Sequence, residues 1–531
     1  MPPSFCPNCK IKLKANDTEI CPKCGIRLTK DRQKAPDSQP ASSPPILPHP
    51  SQENYQPIKP LLNIPPPVGS YEIPEKGVGK KGKSLFLILI MIVIVAVLSY
   101  YVVIGAGSIP SYSTQPVSSA AQPKEIKIGV IASLTGPASN VGTNMWQSAQ
   151  VAADEINANG GILLSGSTTK VPIKLIVGDD ESTQQGGQKA ATKLITDDKV
   201  DILVGGYSSA VTSAYEQTIA EYKVPYIVTG ATSPIITHRT DIDTSYIFHH
   251  CPTTDSYGQY TTTFIDQIVR PAVNTKFNFP DSRPFRLALL YQDTAYGKGV
   301  QSAVSNTITQ NKLNIVLVSQ QIFKMAESDF RTPLTAIKAA KPDAVYIAAF
   351  PNEGAPAITQ ARRDIGLNTI FLSAENNDNA QFYKDLGQYG EGAIIESRYS
   401  PYTAPVGAVA DAQSRFKNSY NAKYGAFPDM MGASTYEGVY IAAKAIENAG
   451  TTDKAAVKQT LVDLNMPQVI EAMKGKTISF SKDFRESQFD LWMEQLAYNQ
   501  TIGETRPTIV WPDNLKVTEF VLPDWYKPGS P

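Results

Sequence analysis

Histidine is nearly missing from this chain: 531 residues hold four. Imidazole acid–base chemistry would therefore need another group to carry it. No nucleophile elbow, zincin motif, P-loop or dinucleotide-binding glycine set appears either, so nothing marks an enzyme. Cysteine is scarce, with five in all. Four of these fall within the first 24 residues, which leaves Cys251 alone in the rest of the chain. That long remainder has no internal disulfide and must rely on its core. Net charge is absent, Lys plus Arg and Asp plus Glu each numbering 49. Nothing in that balance points to nucleic acid or to an acidic partner.

Charge and proline are both lacking between Ser84 and Ile104, SLFLILIMIVIVAVLSYYVVI. A run this long without a polar face is not a surface helix, and it suffices to cross a ~30 Å hydrocarbon layer. A buried helix of a globular domain is usually shorter. Tyr100 and Tyr101 near its end suit the membrane interface. Lys76, Lys80, Lys81 and Lys83 precede the run, whereas no Lys or Arg follows until Lys124. Positive charge stays on the cytoplasmic side, so the N-terminus is expected inside and the later residues outside. A cleaved signal peptide fits poorly, because its apolar core would be only ~7–15 residues and would lie near the N-terminus. The run reads as a transmembrane helix over 84–104 that stays as an anchor.

Before it, SFCPNCKIKLKANDTEICPKCGIRL carries Cys6, Cys9, Cys21 and Cys24 as two CxxC pairs. The spacing suits tetrahedral Zn2+, each pair aiming two thiolates at one ion. Two disulfides are the alternative, and the reducing side argues against them. So small a segment would depend on the metal to fold. Residues 1–30 thus resemble a zinc ribbon, with zinc as a structural cofactor. Lys10, Lys12 and Lys14 lack an aromatic stacking platform, which argues against nucleic acid and leaves a structural or protein-docking role. Residues 31–83 are rich in Pro, Ser and Gln, a disordered linker with a basic flank. Residues 105–123 form a second, small-residue linker.

From residue 124 to 531 the texture changes. EIKIGVIASL, VPIKLIVGDD, DILVGG, VPYIVTGA, RLALLYQD, NIVLVSQQIF, DAVYIAAF and TIFLSA read as strands, each an apolar run. Helical spacing separates them at 146–157, 187–196, 213–222, 298–310, 333–340 and 355–365. Such alternation predicts α/β architecture with parallel sheets covered on both faces, and the length predicts two lobes. Ligands of such sheets sit beyond the carboxyl ends of the strands. There the chain offers Tyr207-Ser208-Ser209, Gly230-Ala231-Thr232, Tyr296, Phe350 and Glu375. Hydroxyls and free N–H groups near helix starts suit a carboxylate, a lone acid suits an ammonium, and aromatics give apolar walls. Together they describe a site for a zwitterion such as an amino acid.

IKIGVIASLTGPASNVGTNMWQSAQVAADEINANGG, VGDDESTQQGGQKAATKLI, VGGYSSAVTSA, VPYIVTGATSP, DTAYGKG, ITQARRDIGL and ASTYEGVY, in that order, resemble the leucine/isoleucine/valine-binding family of ABC-transporter solute-binding proteins. The resemblance spans essentially 125–520. It implies the type I periplasmic-binding fold, two lobes joined by three hinge strands that close on a solute. It also implies an ABC permease as partner and roles for single residues. Ser209 and Thr232 would bind the ligand carboxylate, helped by backbone at Ser208, Gly230 and Ala231. Tyr296 and Phe350 would line the second lobe, and Glu375 would take the α-ammonium. Some members have a cysteine after the Asp-Asp pair; here Glu181 follows Asp179-Asp180, so that disulfide is absent.

Each residue has a plainer role open to it. A strand-end Ser or Thr is commonly a helix N-cap. Tyr296 and Phe350 serve equally as core aromatics, Glu375 as a solvated loop acid, and Trp146 stands between core and ligand site. His249-His250 hints at metal, but no further ligand stands at fitting spacing. The expectation is a membrane-anchored extracellular protein, not an enzyme, that hands a branched-chain-like amino acid to a permease. The alternative is a transmembrane amino-acid sensor that signals to a cytoplasmic protein through the ribbon.

Overall fold

The structure is a computed structural model that describes residues 123–403 and 409–529. The two CxxC pairs, the Pro-rich stretch, the apolar run 84–104 and residues 105–122 lie outside the described residues. Among the described residues no helix is long and apolar enough to cross a membrane.

Two sheets organise two lobes. The first contains β1 (Ile126–Ala132), β2 (Ile173–Asp179), β3 (Ile202–Gly205), β4 (Tyr226–Val228) and β5 (Ile247–His249). Their order is β2-β1-β3-β4-β5, parallel throughout. The central strands are buried along nearly their whole length, as their unbroken apolar runs require. Helices α1 (Ser139–Ala158), α2 (Gln184–Thr196) and α3 (Ser209–Tyr222) form the crossovers.

The second lobe follows with α4 (Thr254–Phe264), β6 (Phe285–Gln292), α5 (Ala295–Gln310), β7 (Ile315–Phe323), β8 (Ala344–Ala348), α6 (Pro351–Arg363), β9 (Ile370–Ser373) and β10 (Ile394–Ser397). The chain then returns to the first lobe as α7 (Met430–Ala449), which packs along α1. Asp429 caps α7 by accepting the Gly432 N–H at 2.6 Å and gives its own N–H to Asn144 of α1. Last come β11 (Trp492–Asn499) and β12 (Glu504–Trp511), and the sheet order is β12-β11-β10-β9-β8-β6-β7.

Two expectations change. The second sheet is not wholly parallel, because β11 runs antiparallel to β10 and to β12. A short loop joins β11 to β12, and a hairpin needs no helical crossover. All six expected helices also begin earlier than apolar spacing implied, at Ser139, Gln184, Ser209, Ala295, Arg331 and Pro351. Their first turns lie at strand ends, where small and polar residues interrupt the period.

The chain passes between lobes three times, after β5, after β10 and before β11. Backbone bonds tie the passages together. The Ser487 N–H donates to the His249 carbonyl at 2.9 Å, the His249 N–H to Arg485 at 2.8 Å, and the Ala472 N–H to Arg398 at 3.3 Å.

Candidate functional site

The carboxyl ends of β3, β4, β8 and β9 meet around one cavity. Its walls are Tyr207, Ser209, Gly230, Thr232, Tyr257, Tyr296, Phe350, Asn376 and Met431. All nine are buried. The enclosed volume is about 10 Å³, roughly one water molecule's room.

Local sequence explains how each side chain arrives. After β3 the backbone must turn sharply, and Gly205 and Gly206 sit at φ +114° and +81°. A Cβ at Gly205 would strike the Ile131 carbonyl oxygen, and one at Gly206 the Tyr226 hydroxyl. The turn delivers Tyr207, then Ser208 in extended backbone as the N-cap residue of α3, then Ser209. Ser209 Oγ accepts the Ser233 N–H at 3.1 Å, which pins the loop after β4 and leaves its own proton to donate. Phe350 precedes α6, where Pro351 at the first helical position and Glu353, accepting the Phe350 N–H at 3.2 Å, fix the turn.

Aromatic rings bridge the lobes. Tyr207 and Phe350 lie 4.8 Å apart between centroids, and Phe350 stacks on Tyr296 at 5.8 Å with 16° between planes. The Tyr296 hydroxyl donates to Asn376 Oδ1 at 3.2 Å. Burial raises the Tyr207 hydroxyl well above its ordinary pKa, and it makes no hydrogen bond of good geometry in the structure. It is a neutral donor aimed at the cavity wall. Beyond the Tyr207–Phe350 pair lies an outer cavity of about 350 Å³ that includes Asn140, Asn144, Gln147 and Asn352.

Glu375 stands one layer behind the wall. Its Oε1 accepts the Tyr257 hydroxyl at 2.7 Å, and its Oε2 pairs with Arg398 Nη1. Glu375 and Arg398 are wholly buried, so Glu375 is not a solvated loop acid. Burial opposes the Arg398 charge, but Glu375 and Glu471 together raise its pKa above the ordinary arginine value.

Of the residues expected from sequence, Ser209, Gly230, Thr232, Tyr296 and Phe350 come together on one cavity. Ser208 and Ala231 flank it in the chain; the Ala231 carbonyl accepts from His249 Nε2 at 2.6 Å. Trp146 is not brought there. It is half-buried on α1, packed against the core, because its helical position turns it from the cavity. Asp179 and Asp180 pin loops: Asp179 accepts the Leu134 and Glu181 N–H groups, and Asp180 the Ser133 hydroxyl and the Ser182 N–H.

Sequence reasoning placed Tyr207 and Asn376 at strand ends without assigning either a role, and it missed Tyr257, Met431 and Arg398. Tyr207 and Asn376 adjoin residues already singled out, so strand-end position was their signal. Tyr257 opens α4 and Met431 opens α7, and only the fold aims them inward. The fold also supplies His250 with partners its sequence neighbourhood lacks. His250 Nε2 lies 3.0 Å from Glu437 Oε2 and 3.4 Å from Glu471 Oε2. The nearest nitrogen and oxygen atoms of the three residues fall within 4.8 Å of one another.

A family model described as "Periplasmic binding protein" matches residues 125–496. The Leu/Ile/Val-binding protein BraC3 of Rhizobium johnstonii is 28% identical over 369 residues, covering 69% of this chain and 91% of that protein. The amino acid binding protein of Pseudomonas aeruginosa is 26% identical over 340 residues, covering 64% of this chain and 82% of that protein. Among solved structures, the branched-chain amino acid transporter substrate binding protein LivJ of Streptococcus pneumoniae, in complex with isoleucine, superposes with a TM-score of 0.59 at 22% identity. It covers 73% of this chain and 100% of that one, and the likeness is one of fold.

Proposed function

The chain belongs to the periplasmic binding protein family, and from that premise we propose that it captures an amino acid of branched-chain type by lobe closure and hands it to an ABC permease. The observation that carries the reading is the shared cavity. Neutral donors Ser209 and Thr232 stand on the first lobe, and an acid stands behind the wall of the second. A zwitterion matches that polarity: its carboxylate meets hydroxyls and the free backbone groups near the start of α3, and its ammonium turns toward Tyr257 and Glu375. Tyr207 and Phe350, one from each lobe, must part to admit it. Closure energy then comes from contacts that both lobes make with the solute. The relatives named for Leu/Ile/Val and amino-acid binding support that ligand class.

The rest of the proposal stands on the sequence. Residues 84–104 anchor the chain, the N-terminus is cytoplasmic, and the binding lobes are extracellular. Cys6, Cys9, Cys21 and Cys24 hold Zn2+ in a ribbon that docks a cytoplasmic protein. Calorimetry on the full-length protein, refolded to strip trapped solute, tests the ligand class with a panel of amino acids. Saturable heat with leucine, isoleucine or valine is expected. Silence across the whole panel would reject it.

A further inference from the structure

Behind the cavity wall, Glu375 begins a buried line of charge that runs to the hinge. Glu375 Oε2 pairs with Arg398 Nη1, and Arg398 Nε donates to Glu471 Oε1 at 3.0 Å. Glu471 Oε2 faces His250 Nε2 at 3.4 Å, and His250 Nε2 lies 3.0 Å from Glu437 Oε2. Arg398 follows β10, Glu471 lies ahead of β11, and His250 follows β5, so the line touches all three passages between lobes. Every one of the five side chains is fully buried.

Counting charges decides what this line requires. Glu375, Glu471 and Glu437 are three carboxylates. Arg398 and a protonated His250 supply two positive charges. Glu437 is held as an anion, its Oε1 accepting the N–H groups of Val469 and Ile470 at 2.8 and 2.9 Å. His250 has oxygen beside both ring nitrogens, Ser487 Oγ lying 3.0 Å from Nδ1, which suits an imidazolium. One carboxylate is left without a counter-charge. Burying an unpaired carboxylate is so costly that it takes up a proton instead.

Neighbouring groups do not fill the gap. Among the described residues, Glu396 has only the hydroxyls of Thr261 and Tyr346, and Asp378 only those of Tyr383, Ser397 and Ser400. His249 has its own partner in Glu486, at 3.8 Å. Tyr257 and Tyr296 are neutral, burial raising both hydroxyls. Phe489 adds a ring face 4.6 Å from the Arg398 guanidinium and no charge.

We propose that the cluster holds one proton in place of a missing cation and releases it to solvent when a ligand ammonium reaches Glu375, with Arg398 and Glu471 as the positioning residues that make the site select a cationic group. This rests on the amino-acid reading of the cavity and deepens it. The ammonium supplies the third positive charge. Arg398 then serves Glu471 more fully, and Glu471 gives up its proton. Glu437 accepts two backbone N–H groups and Glu375 the Tyr257 hydroxyl. Glu471 Oε2 meets only His250 among the described residues, so the proton is assigned to Glu471. Burial pushes this carboxyl up to about 7 while Arg398 opposes it.

Calorimetry of the full-length protein with L-leucine at pH 7, in phosphate and in Tris, reads the proton directly. The two buffers differ in ionisation heat, so release of about half a proton per ligand makes the observed enthalpies differ. Affinity is expected to be about tenfold tighter at pH 8 than at pH 6. Glu471→Gln, which lacks the carboxylate that the ammonium balances, should bind leucine more weakly, with enthalpies that agree between buffers and an affinity flat across this range. In the wild type, 4-methylpentanoate, which lacks the ammonium, should release no proton. Leucine binding without proton release, or with the same release in Glu471→Gln, would overturn the coupling while leaving the amino-acid reading intact. Silence with every amino acid would overturn both. Should Glu471→Gln fail to fold, the wild-type buffer and pH series decides alone.

Discussion

The two lobes line one cavity with opposite means. On the first, the wall is neutral: Ser209, Thr232 and Gly230 sit on short loops after β3 and β4. On the second, Tyr257, Tyr296 and Phe350 form the surface, and a dense group of buried charge stands behind them. Neutral donors can be placed by backbone alone, because strand ends and helix starts leave N–H groups free. A buried acid cannot. It needs a counter-charge of fixed geometry, and that partner must be brought from elsewhere in the fold. Hence the first lobe's contribution is local in sequence. The second lobe's contribution is assembled from β9, β10 and the hinge.

The largest expected effect tests the charged side. Arg398→Met leaves Glu375 and Glu471 buried without their guanidinium. Removing one member of a buried pair costs about 3–5 kcal/mol, so urea unfolding of the full-length protein should shift by that order. A midpoint equal to wild type would mean that the two lobes do not differ as described.

Asp429 sharpens the contrast, because it is a buried acid at the cleft edge of the neutral lobe. Burial pushes its carboxyl up to about 7, while the Gly432 N–H it caps opposes this. A carboxyl raised above its unfolded value stabilises fully below that value and loses the contribution as pH rises toward 7. Asp429→Asn keeps the cap and removes the titration. Relative to wild type, the variant should gain stability between about pH 4 and pH 7, by up to about 4 kcal/mol. Unfolding curves at pH 4.5 and pH 8 measure it. Parallel behaviour at both would show that Asp429 is already ionised when folded.

Ligand affinity offers a direct comparison of the two walls. Glu375→Gln removes charge, and leucine affinity should fall by about 30-fold or more. Thr232→Val removes one neutral donor to a charged ligand group, and a loss of about tenfold is expected. Calorimetry on both variants ranks them. A larger loss in Thr232→Val would place the ligand's binding energy on the neutral lobe.

What could be read from sequence follows the same division. The alternation of apolar strands with helices predicted two α/β lobes, and strand ends led to Ser209, Gly230, Thr232, Tyr296 and Phe350. Each of these depends on nearby chain. The Glu375 environment was not legible. Arg398 is 23 residues away and Glu471 a further 73, and no period or motif links them. Only the return of the chain through the hinge makes them neighbours. The antiparallel β11 and β12 escaped for a related reason. Polar residues interrupt both, Glu494 and Gln495 in β11 and Thr505, Arg506 and Thr508 in β12, so neither forms one apolar run.

Trp146 carries the smallest expected effect and the finest test of where the site ends. A large aromatic on the first helix of an α/β lobe is a natural candidate for lining a cleft. Yet α1 spans Ser139–Ala158, and the face it turns to the outer cavity carries Asn140, Thr143, Asn144 and Gln147. Trp146 borders neither cavity; it packs against the core, half-buried. Trp146→Phe should therefore leave leucine affinity within about twofold. It should cost about 1 kcal/mol of stability through lost apolar contact. Calorimetry and urea unfolding on one preparation separate the two. An affinity loss as large as that of Thr232→Val would extend the binding surface along α1, and the neutral wall would then be wider than the loops after β3 and β4.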